Sequence, residues 1–127
     1  MAPISVTLAR RDPPAAVVAL VGEHDAYSSQ RLDNELTVLL DQGQRIIVDL
    51  RDATFIDSST LSVLLGARHR AEECSLGFAL LLADDDYTQV HRILELTGLR
   101  DVFAIFAKLD EGLAAVRQGR VADARAA

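Results

Sequence analysis

RIIVDLRDATFIDSSTLSVLL, residues Arg45 to Leu65, passes from strand to helix through a loop of only a few residues. Ile46 to Leu50 is an apolar run of the kind buried on both faces of a parallel sheet. The loop that follows ends in Asp57-Ser58-Ser59-Thr60, where the helical spacing of Leu61, Leu64 and Leu65 begins. Backbone N–H groups at a helix start lack partners within the helix, so short carboxyl and hydroxyl side chains there are favourable caps. One cap is enough for one helix, and here three hydroxyls stand behind a carboxylate. Thr54-Phe55-Ile56 also places apolar residues in the loop, which points to a packed, shaped loop.

On the N-terminal side, Ile4, Val6 and Leu8 alternate with Ser5 and Thr7, which predicts a half-exposed edge strand. Arg10-Arg11-Asp12-Pro13-Pro14 is a turn, and Ala15 to Val21 is a second, buried strand forming an antiparallel hairpin with the first. Gly22-Glu23-His24-Asp25 closes that strand. A helix follows, with Ser28 and Ser29 as its caps, Leu32, Leu36, Leu39 and Leu40 on its inner face, and Gly43 at its stop.

On the C-terminal side, Phe78 to Ala83 is a strand, and Asp84-Asp85-Asp86 opens a helix whose Val90, Ile93, Leu94 and Leu96 point inward. Thr97-Gly98 stops it. Val102 to Ala107 is the last strand, and Leu109, Leu113 and Val116 mark the last helix. Alternating strands and helices predict one α/β domain over residues 1–127, with its core at about 4–117 and a fraying tail at 118–127. The expected architecture is a mixed, mostly parallel sheet of about five strands packed with about four helices.

Composition bounds the chemistry. Thirteen Lys and Arg against 19 Asp and Glu give a formal charge of -6, which argues against direct DNA or RNA binding by phosphate neutralisation. The single cysteine, Cys74, excludes an internal disulfide and is expected to be partly buried; a reducing cytoplasm is the natural compartment. The N-terminus lacks a signal-type apolar run, and no stretch reaches the ~18 apolar residues of a membrane span. His69 and His91 lack metal-spaced partners, consecutive aspartates rarely converge on one ion, and no Gly-x-Ser-x-Gly elbow accompanies Ser58. Catalytic, cofactor and metal residues are therefore expected to be none.

With these residues in place, the chain resembles the STAS domain family, and within it the anti-sigma factor antagonists. The family pattern of strand, Asp, Ser, Ser or Thr, Gly, then Leu is matched by Val48-Asp49-Leu50 and Phe55-Ile56-Asp57-Ser58-Ser59-Thr60-Leu61. A Gly-Glu-apolar-Asp turn is matched by Gly22-Glu23-His24-Asp25, and a Leu-Thr/Ser-Gly-Leu element by Leu96-Thr97-Gly98-Leu99. The likeness runs from about Val17 to Val116. It implies a binding module without enzyme activity, whose Ser58 is phosphorylated by an anti-sigma factor that is also a serine kinase. The unmodified form would bind that kinase and free a sigma factor; phosphorylation would break the complex, and a phosphatase would restore it. The contact residues so implied are Glu23, His24, Asp25, Asp57, Ser58, Ser59, Thr60 and Leu61, on a monomer or weak dimer away from membranes.

Two positions depart from the pattern. Thr60 replaces the family glycine, placing a branched side chain beside Ser58, and His24 replaces an apolar residue and is expected to be solvent-exposed. A constitutive, unphosphorylated STAS scaffold is the alternative that Thr60 suggests. A small α/β enzyme using the same rim is a third.

Overall fold

The computed structural model describes residues 3–9, 13–85 and 87–122. Arg10, Arg11 and Asp12 of the expected turn, Asp86 of the acidic triplet and residues 123–127 of the expected tail lie outside them.

β1 (Ile4–Ala9) and β2 (Ala15–Leu20) form the antiparallel hairpin, with Ile4 opposite Leu20 and Ala9 opposite Ala15. β4 (Arg45–Asp49), β6 (Phe78–Leu81) and β7 (Ala104–Phe106) then add in parallel, giving the order β1-β2-β4-β6-β7. The connecting helices are α1 (Ala26–Asp41), α2 (Ser58–Glu73), α3 (Gln89–Leu96) and α4 (Leu109–Arg117). A five-stranded mixed sheet with four helices is the expected architecture.

Successive side chains of a strand point to opposite faces, and here the two faces carry different cores. Ile46, Val48, Phe78 and Leu80 join Leu32, Leu36, Leu64 and Leu94 beneath α1, α2 and α3. Ile47, Ala79, Leu81 and Ala104 face α4 through Val116. The alanines on that second face let a single helix cover it closely. Gly112 of α4 lies over Leu81 and Ile47, where an added Cβ would come within 3.1 Å of the Leu81 side chain.

Several expected boundaries move. A further two-stranded sheet, β3 (Gly22–His24) with β5 (Ala53–Ile56), occupies segments read as turn and loop. Three or four residues are too few for alternation to register. Asp84 and Asp85 do not open α3: Thr88 caps it, accepting from the His91 N–H at 3.2 Å, while Asp85 accepts from the Tyr87 N–H in the preceding turn. Leu96 points outward on that short helix, and Cys74 at the end of α2 is exposed. The tail does not fray from Gln118. Phe78 N–H donates to the Arg120 carbonyl at 2.9 Å, Ala104 N–H to that of Val121 at 3.3 Å, and Val121 packs on the core.

Candidate functional site

β3 and β5 follow directly on β2 and β4 and carry that parallel pair past the C-terminal edge of the main sheet. Gly22, at φ +82°, makes the break between β2 and β3, a left-handed backbone that glycine adopts without a Cβ clash. The register sets His24 beside Ile56, so Asp25 and Asp57 leave the ribbon side by side. Each caps the helix that follows. The C-terminal rim of an open α/β sheet, where loops from neighbouring strands converge, is thus built from two helix starts.

The far edge of β5 is held by a side chain. Gln89 of α3 accepts from the Ile56 N–H through Oε1 and donates to the Ile56 carbonyl through Nε2, both at 2.9 Å. An amide side chain stands in for a neighbouring strand and fixes the residue just before the Asp57 cap.

Asp57 sorts the three hydroxyls behind it. Its Oδ1 accepts from the Thr60 N–H at 3.0 Å and from the Ser59 hydroxyl at 2.6 Å. The Thr60 hydroxyl lies 3.2 Å from the same oxygen and 3.4 Å from the His24 carbonyl, so it ties the start of α2 to the end of β3. Ser58 is the exposed member, and no side-chain hydrogen bond engages its hydroxyl among the described residues. Burial acts to raise the Asp57 pKa, but the hydrogen bonds from Ser59 and Thr60 together outweigh it. The carboxyl is held below the usual range and stays ionised.

Across the ribbon, Asp25 accepts from the Tyr27 N–H at 3.0 Å, and its own N–H donates to the Ser28 Oγ at 3.1 Å, a reciprocal cap of α1. The cap expected from Ser28 and Ser29 is therefore Asp25, with Ser28 as its counterpart; the buried Ser29 hydroxyl bonds the Ala26 carbonyl. His24 is 1 % exposed, which corrects the expected solvent position. Its Nε2 lies 3.1 Å from the Val21 carbonyl and its Nδ1 3.1 Å from the Ser28 Oγ. A carbonyl only accepts, so Nε2 carries the proton and Nδ1 accepts from the Ser28 hydroxyl. Desolvation lowers the His24 pKa, against opposing effects of the Val21 carbonyl and Asp25.

Of the eight residues expected to form a contact surface, Glu23, Asp25 and Ser58 are exposed and Asp57 and Ser59 are half-buried. His24, Thr60 and Leu61 are 1, 0 and 4 % exposed, and act from beneath by holding the rim. The register of β3 against β5 turns His24 inward, and Thr60 and Leu61 lie on the buried face of α2. Gln89 gave no local signal, being one amide in a helix remote in sequence. Phe55 on β5, expected within a packed loop, is instead exposed, as is Tyr27 in the first turn of α1, and both rings lie on this rim. Among the described residues no group of three or more His, Cys, Asp or Glu could hold a metal ion, and no helix is long and apolar enough to cross a membrane.

Comparison with known proteins agrees with this geometry. The family model described as the STAS domain matches residues 7–112. The chain is 31% identical over 96 residues to an anti-sigma-B factor antagonist of Bacillus subtilis, covering 76% of this chain and 85% of that one. It is 28% identical over 103 residues to an anti-sigma-B factor antagonist of Listeria monocytogenes, covering 80% and 88%. Among solved structures, an anti-sigma factor antagonist from Mycobacterium paratuberculosis superposes with a TM-score of 0.74 at 25% identity, over 91% of this chain and 95% of that one.

Proposed function

The chain belongs to the STAS domain family, and from that premise we propose that it is an anti-sigma factor antagonist switched by phosphorylation of Ser58. The unmodified protein binds an anti-sigma factor that is also a serine kinase, and so releases a sigma factor for transcription. Phosphorylation ends the complex, and a phosphatase resets it. The protein acts by binding, in the cytoplasm, and is not itself an enzyme.

One observation carries the reading of Ser58. Of the three hydroxyls at the start of α2, those of Ser59 and Thr60 are engaged by Asp57, and that of Ser58 is exposed and unengaged. The fold would tolerate a phosphate at the first residue of a 16-residue helix, because a helix N-terminus favours anions. A bound partner would not. The added charge of about -1.5 to -2 would sit beside the ionised Asp57 and against a surface made for a neutral hydroxyl.

The alternative of an unphosphorylated scaffold rested on Thr60 crowding Ser58. Thr60 is fully buried, with its hydroxyl turned toward Asp57 and the His24 carbonyl, and this supports the switched reading.

Incubation with ATP and the cognate kinase is expected to place one phosphate on Ser58, found by mass spectrometry, and none on the Ser58→Ala variant. Ser58→Asp is expected to bind the anti-sigma factor ~100-fold more weakly than wild type, a penalty of a few kcal/mol. Equal affinity of the Ser58→Asp and Ser58→Ala variants would remove the switch.

A further inference from the structure

β1 ends the main sheet on one side, and no strand of the described residues pairs with its outer edge. The Val21 N–H donates to the Pro3 carbonyl at 3.2 Å, which makes Pro3 and Val21 a hydrogen-bonded pair of the β1–β2 ladder. In an antiparallel ladder such pairs alternate, so Ser5, Thr7 and Ala9 direct their backbone groups at β2. Ile4, Val6 and Leu8 direct theirs outward. Among the described residues these outward groups have no backbone partner.

The usual guards of a free edge are missing. Ile4–Ala9 contains no charged residue and no proline, and its register with β2 runs without a bulge. Val6 and Leu8 leave 39% and 49% of their surface exposed.

We propose that this edge is the self-association surface of the protein, and that its occupant is β1 of a second copy, paired antiparallel about a two-fold axis at Val6. Three features of the strand select a second copy. The outward-facing residues Ile4, Val6 and Leu8 are symmetric about Val6, so each meets an outward-facing residue of the other strand. Val6 meets Val6, Ile4 meets Leu8, and apolar meets apolar on the face where Ile4 joins the larger core, while Ser5 meets Thr7 on the other, a favourable hydroxyl pair. The strand is also uncharged in a chain of net charge -6, so this approach avoids the like-charge repulsion met elsewhere between copies. One strand pair buries little surface, so the dimer is weak and concentration-dependent. The two-fold stands normal to the joined sheet and sends the Ser58 rims of the two copies in opposite directions.

Sedimentation velocity is expected to move from monomer toward dimer between low micromolar and millimolar protein. Over the same range, amide exchange should slow at Ile4, Val6 and Leu8 and stay unchanged at Ser5 and Thr7. Val6→Lys, which sets two ammonium groups face to face on the axis, should weaken association at least tenfold while leaving the circular dichroism spectrum unchanged. In a Cys74→Ser background, Val6→Cys should form a disulfide dimer under mild oxidation, since facing Cα atoms stand about 5.5 Å apart. Thr7→Cys, which faces Ser5, should not. A monomer throughout, a dimer indifferent to Val6→Lys, or equal cross-linking of the two cysteine variants would each overturn the proposal. So would edge amides already protected in dilute monomer, which means a cover within the chain, or protected only with a foreign partner, which means another protein's strand.

Discussion

His24 sits beneath the rim with both ring nitrogens engaged, one on the Val21 carbonyl and the other on the Ser28 hydroxyl, and that burial has a pH signature. Its folded-state pKa lies below the ordinary value of 6.5, so in the interval between the two the unfolded chain binds a proton that the folded chain refuses. Stability linked to His24 is therefore complete above about pH 7 and declines as pH falls through the unfolded pKa toward the folded one. Protonation also obliges Ser28 to reverse its bond and donate to the Asp25 carbonyl, 3.2 Å away. Urea unfolding across this range should show stability falling with pH in wild type and a flatter profile in His24→Gln. Parallel profiles would mean that another group sets the slope. Not every side chain of the rim was equally legible. That a cap stands within Asp57-Ser58-Ser59-Thr60 follows from residue type and order, because capping is local chemistry. Ser58 is singled out by the family resemblance, and which hydroxyls Asp57 engages is visible only in the structure. The place of His24 does not, because a lone histidine between Glu23 and Asp25 reads as a solvated turn. Only pairing of β3 with β5 turns it inward.

At the scale of elements, the approach of one backbone to another is tested by the contrast between two glycines. Gly66 sits in the exposed middle of α2, where an added methyl would meet nothing within 4 Å, so Gly66→Ala should stabilise by about 0.5–1 kcal/mol through helix propensity. Gly77 precedes β6, and a Cβ there would run into the main chain of Val116 at the end of α4. Backbone cannot yield as a side chain can, so Gly77→Ala should destabilise by about 1–3 kcal/mol. Urea midpoints of the two variants should move in opposite directions; a neutral Gly77→Ala would mean that α4 packs less closely than described. The strands with long apolar runs and the helices with clear stripes were readable in the sequence, and the short pieces were not. Ala15 to Leu20, Arg45 to Asp49 and the leucines of α1 announce themselves by period and length. β3 and β5 depend on partners remote in sequence, Gln89 among them. The cap of α3 is local, Thr88 meeting the His91 N–H, and was masked by the run of aspartates ahead of it.

At the scale of the whole molecule, the order of elements was readable from alternation, whereas the closures that join distant segments were not. The end opposite the Ser58 rim is the clearest case. A small, polar stretch after α4 reads as a fraying tail, yet Arg120 and Val121 close the N-terminal ends of β6 and β7 through Phe78 and Ala104. Arg68 of α2 donates to the Val121 carbonyl at 2.9 Å, and the Arg120 guanidinium lies 5.3 Å from the Phe106 ring centre. This segment therefore ties the α4 layer to the α2 layer around the sheet edge, by contacts that no local pattern encodes. A chain ending at residue 117 leaves these three donors without their acceptors, at about 1 kcal/mol each. Its melting temperature should fall roughly 10 °C below that of a chain ending at residue 122. Because the loss lies at the far end of the sheet, both chains should bind the anti-sigma factor alike at temperatures where both are folded. Equal melting temperatures would show the closure to be energetically idle, and a selective loss of binding would place it in contact with the rim after all.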